Sequence, residues 1–145
     1  MKFTLIIDEN REEEVVVYAR GKSKFTEELE AFVGSNTPEL IGYSGKNIVK
    51  LSGAEVFAFA VEEGKVFAVT EREKLLLQKR LYQIEEMLDV RFVKINQSCI
   101  VNVGQIERFE ATIGGSLMVV LKNGYRDYIS RRQMKTVKER IGFKR

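Results

Sequence analysis

The chain has 145 residues, 44% of them apolar, which suits one domain or one domain with a short extension and is enough for a buried core. It contains one cysteine, Cys99, and no histidine. That composition excludes an intrachain disulfide, structural zinc sites of the Cys/His kind, and catalysis of the Ser-His-Asp or Cys-His kind.

No targeting segment is expected. The apolar start, Met1 to Ile7, is stopped by Asp8 and Glu9, too early for a signal peptide. The densest apolar run, Val56 to Val61, is six residues long, whereas a membrane span needs about 20. A lone cysteine with no signal and no span points to the cytoplasm. The net charge of +3 conceals a split. Residues 1–43 hold five basic and nine acidic residues, a net of −4, and residues 44–145 hold 19 and 12, a net of +7. Residues 122–145 alone hold nine basic and two acidic residues, so the excess of positive charge lies in this last segment. Such a segment either tracks phosphates or forms a solvated helix face.

In chain order, Phe3–Ile7 and Glu14–Ala19 read as strands, with turn signals at Asp8–Arg11 and Gly21. Phe25–Val33 reads as a short helix, because Phe25, Leu29 and Val33 recur at i, i+4, i+8. Gly34-Ser35-Asn36-Thr37-Pro38 reads as a linker and contains the only proline. The boundary placed there divides the chain into a β-β-α extension, 1–43, and a domain, 44–145.

The domain reads mainly as strands: Asn47–Leu51, Val56–Val61, Lys65–Thr70 and Leu75–Leu77. A hairpin turn falls at Glu62-Glu63-Gly64. One helix is expected at about 79–88, with Leu77, Leu81, Ile84 and Leu88 as its buried stripe. Strands follow at Phe92–Lys94, Cys99–Val103, Ile106–Ala111 and Leu117–Leu121. Asn123-Gly124 is a type I′ signal joining Leu117–Leu121 to Tyr125–Ile129. Ser130-Arg131-Arg132-Gln133 matches a capping box and opens a last helix with Met134, Val137 and Ile141 as its stripe.

Motifs for enzymatic chemistry are absent. Gly42 to Lys46 has the wrong glycine spacing for a phosphate loop, and Asn47 stands where Ser or Thr would hold magnesium. Gly114-Gly115 reads as a turn. The acidic clusters Glu12–Glu14 and Glu85-Glu86 lie on ordinary surfaces. Cys99, at the start of an apolar strand, reads as a buried thiol over a reactive one. No enzyme, cofactor or metal is expected.

Two stretches go beyond composition. Residues 92–102 run Phe-Val-Lys-Ile-Asn-Gln-Ser-Cys-Ile-Val-Asn, and residues 121–132 run Leu-Lys-Asn-Gly-Tyr-Arg-Asp-Tyr-Ile-Ser-Arg-Arg. Together they resemble the LytTR family of bacterial DNA-binding domains. That family has the phrase F-x-R-x-x-x-S-x-[IL]-V-N, then a strand, an N-G hairpin and a closing S-R-R before the last helix. Phe92, Ser98, Ile100, Val101, Asn102, Ile106, Leu121, Asn123-Gly124, Ser130 and Arg131-Arg132 fall in register with it. The segment Leu81–Leu88 fits the family's L-x-x-L-E-x-x-L helix. The resemblance covers about 100 residues in four separate pieces. The chain departs from it near Ala60, where an acidic residue is usual, and near Asn96, where His or Arg is.

The resemblance implies a mostly β (α+β) fold of small antiparallel sheets with a mid-domain helix and a C-terminal helix. It implies sequence-specific binding of double-stranded DNA by loops entering successive major grooves. The family's base-contact regions map onto Gly64-Lys65, onto Asn96-Gln97, and onto Arg131 with Arg132. The residue chemistry agrees, since Arg suits guanine and Gln or Asn suits adenine. Lys94, Lys122, Arg126, Lys135 and Lys138 would hold phosphates. Gln97 has a second reading, as a turn amide. The first 43 residues are too few for the receiver domain that many relatives carry. The chain therefore looks like stand-alone regulators, whose relatives bind tandem sites and are often encoded beside a small membrane protein. The expected partners are DNA, a second copy of the chain, and such a membrane protein. Two other classes compete with this reading. One is a protein-interaction module with incidental DNA binding. The other is a single-strand binder, which would need exposed aromatics; Phe57, Phe59, Phe67 and Phe109 instead alternate as core residues would.

Overall fold

The computed structural model describes residues 2–33 and 40–143. Their elements, in chain order, are α1 (Lys24–Val33), β1 (Leu40–Ser44), β2 (Asn47–Leu51), β3 (Ala58–Glu62), β4 (Lys65–Val69), β5 (Lys74–Leu77), α2 (Leu81–Met87), β6 (Phe92–Asn96), β7 (Cys99–Asn102), β8 (Ile106–Ala111), β9 (Leu117–Leu121), β10 (Arg126–Tyr128) and α3 (Arg131–Ile141). Short 3₁₀ turns lie at Gly53–Glu55 and Val103–Gln105. The strands form a seven-stranded sheet, ordered β2-β1-β5-β4-β3-β7-β6, and a three-stranded sheet, ordered β10-β9-β8. Every pairing is antiparallel.

Because side chains alternate across a strand, the large sheet feeds two cores. One face gathers Val56, Phe59, Val66, Leu75, Phe92 and Ile100 beneath Leu81 and Ile84 of α2. The other gathers Phe57, Ala58, Val93, Ile95, Cys99 and Val101 against Leu117, Val119 and Leu121 of β9 and Val137 of α3. The Cys99 thiol is buried there, and burial, followed by the Asp127 carboxylate, pushes its pKa up. This is the inert environment expected for it.

An edge strand invites pairing with another chain unless something covers it. At β6 that cover is α3: the Ser130 amide donates to the Ile95 carbonyl at 2.9 Å, and the Arg140 guanidinium donates to the Phe92 carbonyl at 3.1 Å. Ser130 also caps α3, its hydroxyl accepting from the Gln133 amide at 3.3 Å. The capping box is thus half formed, because the Ser130 amide is committed to β6. Gly142 ends the helix in the left-handed region, φ 84°.

Several expectations are corrected. Phe3–Ile7 and Glu14–Ala19 form no strands and lie exposed, Tyr18 at 96%. A strand needs a partner for its backbone groups, and these segments pair with no strand among the described residues. The extension is therefore an exposed segment leading into α1, and the β-β part of the expected β-β-α unit is not formed. Helix α1 begins with a reciprocal cap between Ser23 and Thr26. The expected linker, 34–38, lies outside the described residues. The large sheet begins at Leu40, ahead of the boundary at residue 44, with Leu40 itself in the core. Leu77 ends β5 and does not open a helix, so α2 is shorter than the expected span. The β9–β10 connection is not type I′. The Gly124 amide donates to the Leu121 carbonyl at 2.9 Å, and only Gly124 takes positive φ, which makes a three-residue loop closed by a left-handed glycine. The β3–β4 loop is the two-residue type, with Glu63 at φ 51° and Gly64 at φ 75°.

Candidate nucleic-acid interface

The ladders bring three of the turns to one end of the large sheet. Strands β3 and β4 close on the pair Glu62 with Lys65. Next to that turn, the Val61 amide donates to the Ser98 carbonyl at 2.8 Å, which sets the β6–β7 turn beside the β3–β4 turn. The Ser130 bond to Ile95 then sets the start of α3 beside the end of β6. Lys65, Gln97, Arg131 and Arg132 therefore share one edge, and all four are exposed.

Asn96 does not join them. It is 1% exposed, and both the nitrogen and the oxygen of its amide group are hydrogen-bonded. Its Nδ2 donates to the Tyr128 carbonyl at 2.8 Å, and its Oδ1 accepts from the Ser98 amide at 2.8 Å. Base reading by Asn96 is therefore corrected to a structural role: it shapes the β6–β7 turn and ties it to the strand entering α3. The same bonds bear on the second reading of Gln97, as a turn amide. Asn96 satisfies the turn, and the Gln97 side chain has no hydrogen-bond partner among the described residues. Asn96→Ala removes the side-chain partner of the Tyr128 carbonyl and of the Ser98 amide at a buried position and is expected to cost about 1–3 kcal/mol of stability. Denaturant unfolding checks this. A wild-type midpoint in the variant would show that a water or a backbone shift replaces the amide.

The phosphate candidates divide. Lys135 is exposed one turn into α3, and Lys138, half-buried, lies a turn further from the edge. Lys94 faces α2 and pairs with Glu85 at 3.5 Å. Arg126 lies on the three-stranded sheet and is ion-paired with Glu110. Lys122 sits at the wrong end. The neighbouring Asn123 donates to the Thr70 carbonyl at 2.8 Å, and Thr70 follows the β4 terminus opposite Gly64. That is a strand length away, roughly 15 Å at about 3.3 Å per residue. Lys122 and Arg126 are accordingly removed from a contact set centred on the edge.

Ion pairing separates the basic residues further. Lys24, Lys74, Arg91, Lys94, Arg108 and Arg126 each have a carboxylate partner. Arg140 donates to carbonyls. Lys65, Arg131, Arg132 and Lys135 have no ion-pair partner among the described residues, and neither do Lys79 and Arg80, which belong to none of the sequence motifs. Those two follow β5, whose Leu77 pairs with Val66, so they continue the same edge beyond Lys65. Their signal in the sequence is two adjacent basic residues, but only the strand order shows which turn they stand next to.

Of the phenylalanines expected in the core, two are buried and a third packs on another ring. Phe57 and Phe59 are buried, and Phe109 packs on Phe143 with ring centroids 4.8 Å apart. Among the described residues no cluster suited to a metal ion occurs, and no helix is long and apolar enough to cross a membrane.

Comparison with known proteins identifies the fold and the family. The LytTR DNA-binding domain model matches residues 46–142. An uncharacterised HTH-type transcriptional regulator of Staphylococcus aureus strain NCTC 8325 is 31% identical over 147 residues, covering 97% of this chain and 98% of its own. The corresponding protein of strain MSSA476 is 36% identical over 102 residues, covering 70% and 69%. A solved LytTR DNA-binding domain from Bacillus cereus superposes with a TM-score of 0.67 at 18% identity, covering 72% of this chain and 97% of that one. The relatives' helix-turn-helix label does not describe the present fold, in which five strands separate α2 from α3. The chain belongs to the LytTR DNA-binding family, to which a family model over residues 46–142 and regulators aligned over nearly the full length assign it.

Proposed function

We propose that the chain is a sequence-specific transcription regulator acting in the cytoplasm, and that it reads double-stranded DNA with the turns at this one sheet edge. The observation that carries the reading is the gathering at that edge of Lys65, Arg131 and Arg132, without ion-pair partners among the described residues, with the exposed Gln97 amide. Arg132 and Gln97 are the base readers, supported by Arg131 and Lys65. Their side chains can offer bidentate donors to guanine and adenine in the major groove. Lys135 and Lys138 hold phosphates and fix the register. Selecting bound duplexes from a random pool tests the reading directly: a recovered motif supports it, and a pool without sequence bias removes it.

The helix contribution has its own test. Lys135→Ala with Lys138→Ala is expected to weaken binding to preferred and random duplexes alike. Removing one phosphate-binding cation should lower the slope of log K against log salt by about 0.9. An unchanged slope would turn α3 away from DNA.

The extension supports a second part of the proposal, self-association. Phe3–Ile7 and Val15–Tyr18 are rich in β-branched and aromatic residues yet exposed and unpaired in one chain. A second copy offers the same segments, which is the self-complementarity a two-fold dimer needs. The relative from strain NCTC 8325 aligns over nearly its whole length, extension included. A membrane-protein partner is the alternative occupant of these residues.

A further inference from the structure

We infer that Lys79 and Arg80 form a further grip on the DNA backbone, one strand beyond Lys65, where they hold phosphates flanking the base-reading turns. This rests on the proposed use of the sheet edge. The strand order along that edge runs β5, β4, β3, β7, β6 and then α3. With neighbouring strands about 4.8 Å apart, β5 and β6 stand roughly 19 Å from each other. A duplex lying across Arg132, Gln97 and Lys65 continues over the end of β5.

The local geometry fits backbone contact. Gly64, Lys65, Gln78, Lys79, Arg80 and Leu81 line one open groove between the β3–β4 turn and the start of α2. Gln78, Lys79 and Arg80 are all exposed. Neither cation has an ion-pair partner among the described residues, and no side-chain hydrogen bond fixes its head group. Long, unfixed cations suit phosphates, whose position along a groove varies, better than base edges. The acids nearby do not cancel them. Glu62 is taken by Lys74 at 2.7 Å. Glu63 stands at the turn apex as the one free carboxylate of that turn.

The pair is open to a clean test, because the structural role of Arg80 is carried by its backbone. Its amide donates to the Gln83 side chain at 2.9 Å, a bond that survives substitution. The full chain is titrated with a preferred duplex and a random one across a salt series. For Lys79→Gln with Arg80→Gln, the salt slope should fall by about 1.8, two phosphates at about 0.9 each. Affinity should fall by the same factor on both duplexes. Lys79→Arg with Arg80→Lys, which keeps both charges, should restore the wild-type slope. Far-ultraviolet dichroism and the thermal midpoint confirm that each variant is folded. A folded neutral variant with the wild-type slope overturns the inference. A loss confined to the preferred duplex overturns it too, by making the pair base readers. A wild-type slope near zero would instead remove the edge-binding reading on which the inference stands.

Discussion

Arg132→Ala is expected to weaken binding to the preferred duplex by roughly 1–3 kcal/mol, about 5- to 150-fold, and to relax the sequence preference. The reason lies in where α3 begins. Ser130 is held twice, by its amide to Ile95 and by its hydroxyl to Gln133, so the first turn of the helix has a fixed position on the sheet edge. Arg132 leaves that fixed turn exposed and unpaired, and a buried alternative for its charge would be costly. A guanidinium offers two parallel donors to guanine O6 and N7, which a lysine ammonium cannot reproduce. Arg132→Lys should therefore recover affinity for random duplexes and the salt slope, but not the preference. Equal losses on preferred and random duplexes in Arg132→Ala would make Arg132 a phosphate contact.

Much of the domain is legible in the sequence, and what escapes has identifiable causes. Strands with continuous apolar runs, such as Leu117–Leu121, are found where expected, because an apolar run of that length matches a strand buried on both faces. The hairpin turns are legible as positions but not always as types. Asn123-Gly124 satisfies the I′ pattern, yet the Asn123 side chain bonds to Thr70, 53 residues away in the chain, and a wider loop results. The same blindness to distant partners affects the site. Asn96 and Gln97 are adjacent polar residues in one turn, and composition cannot say which is buried. The answer depends on the Tyr128 carbonyl, 32 residues on. Lys122 and Lys65 are both turn lysines, and only the strand order shows that they sit at opposite ends. In the extension, the β-branched residues carry genuine strand propensity, but propensity without a partner strand produces no ladder.

That unpaired propensity leads to the last expected result. Removing residues 1–33 should leave the sheets intact, because β1 begins at Leu40 and the core draws nothing from the extension. The shortened chain should be a monomer where the full chain is a dimer. Binding to a duplex with one repeat should be nearly unchanged, since the extension carries a net charge opposed to DNA contact. Binding to a duplex with two repeats should fall far more, by as much as about 10²- to 10⁴-fold, the gain that linking two modules can supply through effective concentration. The size of that fall depends on repeat spacing, because only a span the dimer can reach benefits. Varying the spacing by half a helical turn should therefore weaken the full chain and leave the shortened one indifferent. Sedimentation of both chains, together with titrations of one- and two-repeat duplexes, measures all of this. A full chain that stays monomeric at concentrations saturating the two-repeat duplex would rule out self-association and assign the exposed apolar residues to a different partner, a membrane protein being the first to try.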